Sequence, residues 1–260
     1  RYCRLIKYTI QHIKDFKEAA TPFATLTAYD FTSAQILNEA QIPLILVGDS
    51  ASMMVYGYDT TIPISMDEMM LIVKAVTRGA KHSLVVADMP FLSYQPSVEE
   101  TMKNAGLFLK EGGASAVKLE GGVHVEKHIS SLVNSGIPVL GHVGLTPQSY
   151  HQLSGYKIQG KTPGDAQKII DDAMAVQNAG AFGIVLECIP EILAKQITDK
   201  LTIPTIGIGS GNQCDGQIQV FHDIIGYSAS KAPKHAKQYS NMYTNVLDVV
   251  KNYKSDIEKA

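Results

Sequence analysis

The chain has 260 residues, of which 45% are hydrophobic and 18% charged, and its formal net charge is −2. That length buries a full core without crosslinks, and the apolar content excludes intrinsic disorder. The charge balance gives no reason to expect a nucleic-acid partner, and no run of about 18 apolar residues suggests a membrane span.

The first twenty residues mix charge and apolar side chains at helical spacing and lack the continuous apolar stretch of a signal peptide. The expectation is an N-terminal helix that packs on the fold, although basic Arg1, Arg4 and Lys7 leave a mitochondrial address open. The chain does not begin with Met, so whether the natural start lies further upstream stays open. Cys3, Cys188 and Cys214 form no CxxC pair, and their odd number suits a reducing compartment, hence a cytoplasmic location.

From Phe23 onward one pattern repeats. A short apolar, β-branched run ends in small or acidic residues, a helical stretch follows, and Gly or Pro precedes the next run. The runs begin at Phe23 (FATLTAYD), Pro43 (PLILVGDS), Leu84 (LVVADMPF), Ala116 (AVKLEGG), Pro138 (PVLGHVGL), Gly183 (GIVLEC) and Pro204 (PTIGIGSG). An eighth, weaker run lies within GQIQVFHDIIG from Gly216. Runs that are apolar on both faces are parallel strands covered on both sides. Two architectures fit: an open doubly wound sheet and a closed (β/α)8 TIM barrel, which typically takes about 250 residues. Polar residues decide between them. At least five runs end in a carboxylate, Lys, His or Ser, and a barrel gathers all such ends at one mouth. With no low-complexity linker, residues 1–260 read as a single barrel domain carrying an N-terminal helix.

Side chains alternate along a strand. Ile45, Val47 and Asp49 share one face, as do Leu84, Val86 and Asp88. Ala116, Lys118 and Glu120 form a third set, and Gly183, Val185 and Glu187 a fourth. If these faces point inward, four carboxylates and one ammonium meet at the mouth, and buried charges of that kind are paired or bound to metal. An all-oxygen set suits Mg²⁺, Mn²⁺ or Ca²⁺ rather than zinc. A single acidic residue at a strand end is more often a helix cap, and Asp49 alone would be read so. Four with the same parity are hard to explain as caps. GIGSGN (207–212) reads equally as a phosphate clip or a plain Gly-rich turn, and His142 equally as a substrate-site or a structural residue. SGYKIQGK (154–161) is either a loop covering the site or plain surface. Cys188, next to Glu187, should face away from the interior and reads as core.

These strings, in collinear order from TAYD (Thr27) to VFHDIIG (Val220), resemble the ketopantoate hydroxymethyltransferase family. They include VGDS, YGYDTTIPISMDEM, ADMPF, VKLEGG, GHVGLTPQS, GYKIQGK, LECIP and IPTIGIGSGNQCDGQI. Ala51 and Ser52 depart from the family's usual GDSLGM. The resemblance implies a Mg²⁺-dependent transfer of a hydroxymethyl group from 5,10-methylenetetrahydrofolate to α-ketoisovalerate (3-methyl-2-oxobutanoate) through an enolate. The product, ketopantoate, leads to pantothenate and coenzyme A. Position by position, Asp49 and Asp88 match metal ligands that also contact substrate, and Glu120 the outer metal carboxylate. Ser50 and Lys118 match keto-acid-binding residues, and Glu187 the catalytic base. The family also implies a large homo-oligomer, typically a decamer. Two other readings stand beside it: a related Mg²⁺ barrel lyase or mutase acting on a small 2-oxo acid, and a barrel that serves only as a scaffold.

Overall fold

The computed structural model describes residues 7–229 and 232–259; Cys3, Arg1 and Arg4 lie outside the described residues. Eight parallel strands form a closed barrel in sequence order. They are β1 (Phe23–Thr27), β2 (Leu44–Val47), β3 (Leu84–Asp88), β4 (Ala116–Lys118), β5 (Val139–Gly144), β6 (Gly183–Glu187), β7 (Thr205–Ile208) and β8 (Gly216–Gln219). The weak eighth run is therefore a strand, four residues long. The (β/α)8 architecture read from the sequence is the one observed.

Local chemistry sets the boundaries of the intervening helices. Ser65 and Glu68 cap the helix Met66–Gly79 reciprocally, each side chain accepting from the other's backbone N–H (3.2 and 2.7 Å). Asp30, at the end of the first run, accepts the Ser33 N–H at 2.8 Å and is a helix cap rather than a site residue. Gly136 (φ 82°) and Gly180 (φ 97°) stop the helices before β5 and β6 in the left-handed conformation that a side chain disfavours.

One apolar cluster draws on all eight strands and is the barrel interior. It holds Phe23, Leu44, Leu46, Leu84, Val86, Ala116, Leu140, Val185, Ile206 and Ile218. The helix Ile10–Glu18 adds fully buried Ile13 to that cluster, with Ile10 and Phe16 packed against it. The N-terminal helix thus packs on the fold as expected, although it starts only at Ile10. Burying the Ile13 side chain contributes roughly 1.5–3 kcal/mol.

The chain divides into two compact units, one ending at Ile218 and the other starting at Gln219. In the second, the helix Phe221–Ile225 ends on left-handed Gly226, and the helix Met242–Glu258 begins with Asn241 as its cap. None of the residues of that last helix is buried, and Val246, Val250, Tyr253 and Ile257 form an exposed apolar stripe at helical spacing. Among the described residues, no helix is long and apolar enough to cross a membrane.

Candidate active site

The strand ends bring the polar residues together at one mouth. Asp88 closes β3 directly opposite Lys118, the last residue of β4, and this register places Lys118 Nζ 2.9 Å from Asp88 Oδ1. Glu120 follows two residues later, with Oε1 4.0 Å from Lys118 Nζ. His142 lies on β5 in register with Val185. Its Nδ1 is 3.3 Å from Lys118 Nζ and 3.4 Å from Glu120 Oε1, and its Nε2 is 3.2 Å from Glu187 Oε2. His142 thus belongs to the charged centre, a question the sequence left open. Asp49, Asp88, Lys118, Glu120 and His142 are all buried, whereas the Glu187 side chain keeps 17% of its surface exposed.

The inward parity holds on β3, β4 and β6 but not on β2. There the interior residues are Leu44 and Leu46, so Ile45 and Val47 face outward. Asp49 reaches the mouth because β2 ends at Val47 and the chain turns at Gly48. A Cβ on Gly48 would lie 2.8 Å from Ser50 Oγ, so the missing side chain leaves room for Ser50 to fold back. Ser50 Oγ is 2.7 Å from the Tyr29 hydroxyl, and the Asp49 backbone N–H donates to Asp88 Oδ2 at 3.0 Å.

Sequence reasoning missed Gln148. Its Nε2 donates to Asp49 Oδ2 (3.0 Å) and to the Met89 carbonyl (2.9 Å). Its Oε1 accepts from the Tyr94 hydroxyl (2.8 Å) and Gln95 Nε2 (3.1 Å), and its backbone N–H donates to Glu120 Oε2 (3.1 Å). With every valence of the amide used, a flip would set its oxygen against Asp49, so the group is locked. Gln148 therefore ties Asp49 to Glu120. The signal was its place within GHVGLTPQS, just past β5.

In the turn 207–212, Glu191 Oε1 accepts the Asn212 N–H at 3.1 Å, which puts a carboxylate beside this turn. The loop 154–161 carries Tyr156, whose hydroxyl lies 3.9 Å from Met53 Sδ. Burial first, then the charges of Asp49, Glu187 and Glu120 among others, push the Tyr156 phenol up to about 12, so this ring sits near the site. Cys188 is half-buried rather than core, at φ 47°, because the chain bends sharply after β6; burial pushes its thiol up to about 12.

Burial prevails at the two aspartates, and neighbouring carboxylates prevail at the two basic groups. Burial raises the Asp88 carboxyl to about 7 even against the adjacent Lys118 ammonium, and it raises Asp49 with help from Glu120. Burial would lower Lys118, but Asp88, Glu120 and Asp49 outweigh it and hold the ammonium charged. Burial and Lys118 also work against protonation of His142, yet Glu120 and Glu187 raise its pKa to about 9.

A divalent cation fits this centre on two counts. Four carboxylates, Asp49, Asp88, Glu120 and Glu187, face two basic groups, Lys118 and His142, so acidic groups outnumber basic ones in a largely buried place. Glu120 Oε1 makes no close hydrogen bond among the described residues, its nearest basic atoms being His142 Nδ1 at 3.4 Å and Lys118 Nζ at 4.0 Å. No three His, Cys, Asp or Glu side chains among the described residues are already drawn together as a metal cage. A small hard cation does not need one, since Mg²⁺ usually takes one or two carboxylates and fills its shell with water and substrate oxygens.

The model of one protein family, described as ketopantoate hydroxymethyltransferase, matches residues 7–260. The chain belongs to that family. It is 51% identical to the 3-methyl-2-oxobutanoate hydroxymethyltransferase of Carboxydothermus hydrogenoformans, over 97% of this chain and 92% of the relative. It is 50% identical to the enzyme of the same name from Dehalococcoides mccartyi strain CBDB1, over 98% and 91%. Among solved structures, phosphonopyruvate hydrolase in complex with oxalate and Mg²⁺ superposes with a TM-score of 0.63, over 97% of this chain and 87% of that one. Its identity is 12%, so that likeness concerns the barrel alone. Family membership makes the chain an enzyme, a hydroxymethyltransferase of the pantothenate pathway, and separates it from lyases, mutases and inert scaffolds on the same fold.

Proposed function

We propose that the chain transfers a hydroxymethyl group from 5,10-methylenetetrahydrofolate to α-ketoisovalerate, giving ketopantoate. The observation that carries this reading is the family match across both compact units, together with Asp49, Asp88, Lys118, Glu120, His142 and Glu187 converging on one mouth. We read 1–260 accordingly as one catalytic domain.

Asp49 and Asp88 would hold Mg²⁺, with Mn²⁺ as an alternative, and Glu120 would act from the outer side, its Oε2 already accepting the Gln148 N–H. A bound divalent ion supplies Lewis acidity toward the ketone oxygen of the keto acid. Lys118, held charged, and Ser50, oriented by Tyr29, receive the substrate carboxylate. Asp49 and Asp88 line the same substrate space. Glu187, open to solvent on one side, takes the proton from the branched carbon or serves the later proton transfers. His142, 3.2 Å away, orients it. The carbanion equivalent forms the new C–C bond to the donor's methylene carbon; both C–N bonds of that carbon break, releasing tetrahydrofolate, and one water supplies the hydroxyl oxygen while the substrate's and the water's protons go to the two freed nitrogens. The exposed apolar stripe of the helix Met242–Glu258 supports a homo-oligomer, which we take to be the decamer usual in the family. The cysteine pattern, with Cys188 and Cys214 free, supports the cytoplasm.

The test is turnover of α-ketoisovalerate with Mg²⁺ and methylenetetrahydrofolate, read as ketopantoate formed. No product from the pure, folded enzyme at saturating substrates would refute the reading.

A further inference from the structure

A second compartment adjoins the charged centre. It is a cavity of about 390 Å³ on the β3–β5 side of the mouth, and Glu120 and Gln148 form its shared wall with the centre. Asp49, Asp88, Lys118 and Ser50 do not line it. A cavity of this size lies within the range that takes drug-sized ligands, about 300–1,000 Å³, and is generous for a five-carbon keto acid.

The lining narrows the ligand class. Ile62, Phe91 and Tyr94 give apolar and aromatic surface. Thr146, Ser149 and Gln152 line it too, and their side chains make no hydrogen bond to another described residue, so their donors and acceptors are available. The Gln95 amide spends its Nε2 on Gln148 and keeps its oxygen. Among the described residues no Lys or Arg lines the cavity, its one carboxylate is Glu120, and His124 and His151 are its other ionisable side chains besides Tyr94. Such a lining offers no permanent cation to an anion, and its imidazoles can hydrogen-bond a neutral ligand. It suits a neutral, flat heteroaromatic ring with amide and amine edges, stacked against Phe91.

We infer that this compartment seats the pterin head of the one-carbon donor, with the anionic tail outside it. The inference rests on the proposed function, because that function requires a second substrate beside the keto-acid centre. Placing the ring against the Glu120–Gln148 wall holds the transferable carbon next to the keto acid while the two substrates keep separate pockets.

The experiment titrates 6-methyltetrahydropterin, which has no glutamate tail, into the enzyme with Mg²⁺ and α-ketoisovalerate, using calorimetry. Gln152→Trp fills the cavity. The chain has no Trp of its own, so a blue-shifted indole emission reports that the fill has occurred. Thr146→Val removes one hydroxyl with little change of shape. The expected result is saturable binding to the wild type, weakened about tenfold or more by Gln152→Trp and about fivefold by Thr146→Val. Deuterium exchange into α-ketoisovalerate, assayed without any folate or pterin, should stay at the wild-type rate in both variants. No pterin binding to the wild type, or wild-type affinity in both variants, overturns the inference. A wild type that binds pterin in this cavity yet makes no ketopantoate would sink the proposed function and leave the pterin site standing.

Discussion

Gln148→Met keeps the volume and unbranched shape of the side chain and deletes its polar ends. The substitution removes a charge-assisted bond to Asp49 Oδ2 and a neutral bond to the Met89 carbonyl. It also removes the acceptor for Tyr94 and Gln95, although the Tyr94 hydroxyl retains the Glu120 carbonyl at 3.2 Å and Gln95 is exposed. The charged bond contributes about 1.5–3 kcal/mol and the neutral one about 0.5–1.5, and two buried acceptors are left unpaired. A loss of about 3 kcal/mol follows, which in a chain of this size lowers Tm by about 6 °C. Asp49 also loses the donor that fixes its carboxylate, so Mg²⁺ affinity should fall by about tenfold. The Gln148 backbone N–H still donates to Glu120 Oε2, so the barrel itself should survive. Scanning calorimetry on the metal-free protein and isothermal titration with Mg²⁺ read the two effects separately. A Tm within about 1 °C of wild type together with unchanged Mg²⁺ affinity would show that Gln148 merely fills space.

Asp88→Asn should weaken Mg²⁺ by about a hundredfold by titration calorimetry, since on the proposed function it removes one of two charged ligands, whereas an unchanged affinity would take Asp88 out of the metal shell. Lys118 should form no Schiff base, because in the proposed function the electron sink would be the metal. Borohydride treatment with α-ketoisovalerate should leave the protein mass unchanged, and a stable adduct on Lys118 would overturn the metal mechanism. Glu187→Gln should abolish deuterium exchange at the branched carbon if Glu187 takes that proton; exchange at the wild-type rate with no product would assign it to the later transfers. The Cys188 thiol, pushed up to about 12 by burial, should alkylate slowly at neutral pH and faster as pH rises, as peptide mapping would show; rapid labelling at pH 7 would contradict its half-buried setting.

Much of this protein is legible in the order of its residues. Short β-branched runs, glycines at helix ends and polar strand termini specify eight strands in one direction. Alternation along those runs correctly turns Asp88, Lys118 and Glu187 inward, because β3, β4 and β6 stay regular up to those residues. Collinear motifs specify the family. Tertiary structure decided the rest. Alternation misled on β2 because the strand stops at Val47, and Gly48 lets the chain turn so that Asp49 arrives from a bend rather than from a pleat. Whether His142 joined the charged centre depended on the β5–β6 register, which sets His142 against Val185 and so beside Glu187. The bond between Gln148 and Asp49 spans 99 positions and joins the ends of β5 and β2, two non-adjacent strands. Local patterning carries no information at that separation; only closing the barrel brings those two strand ends within hydrogen-bond reach, and that closure turns a list of polar residues into a site.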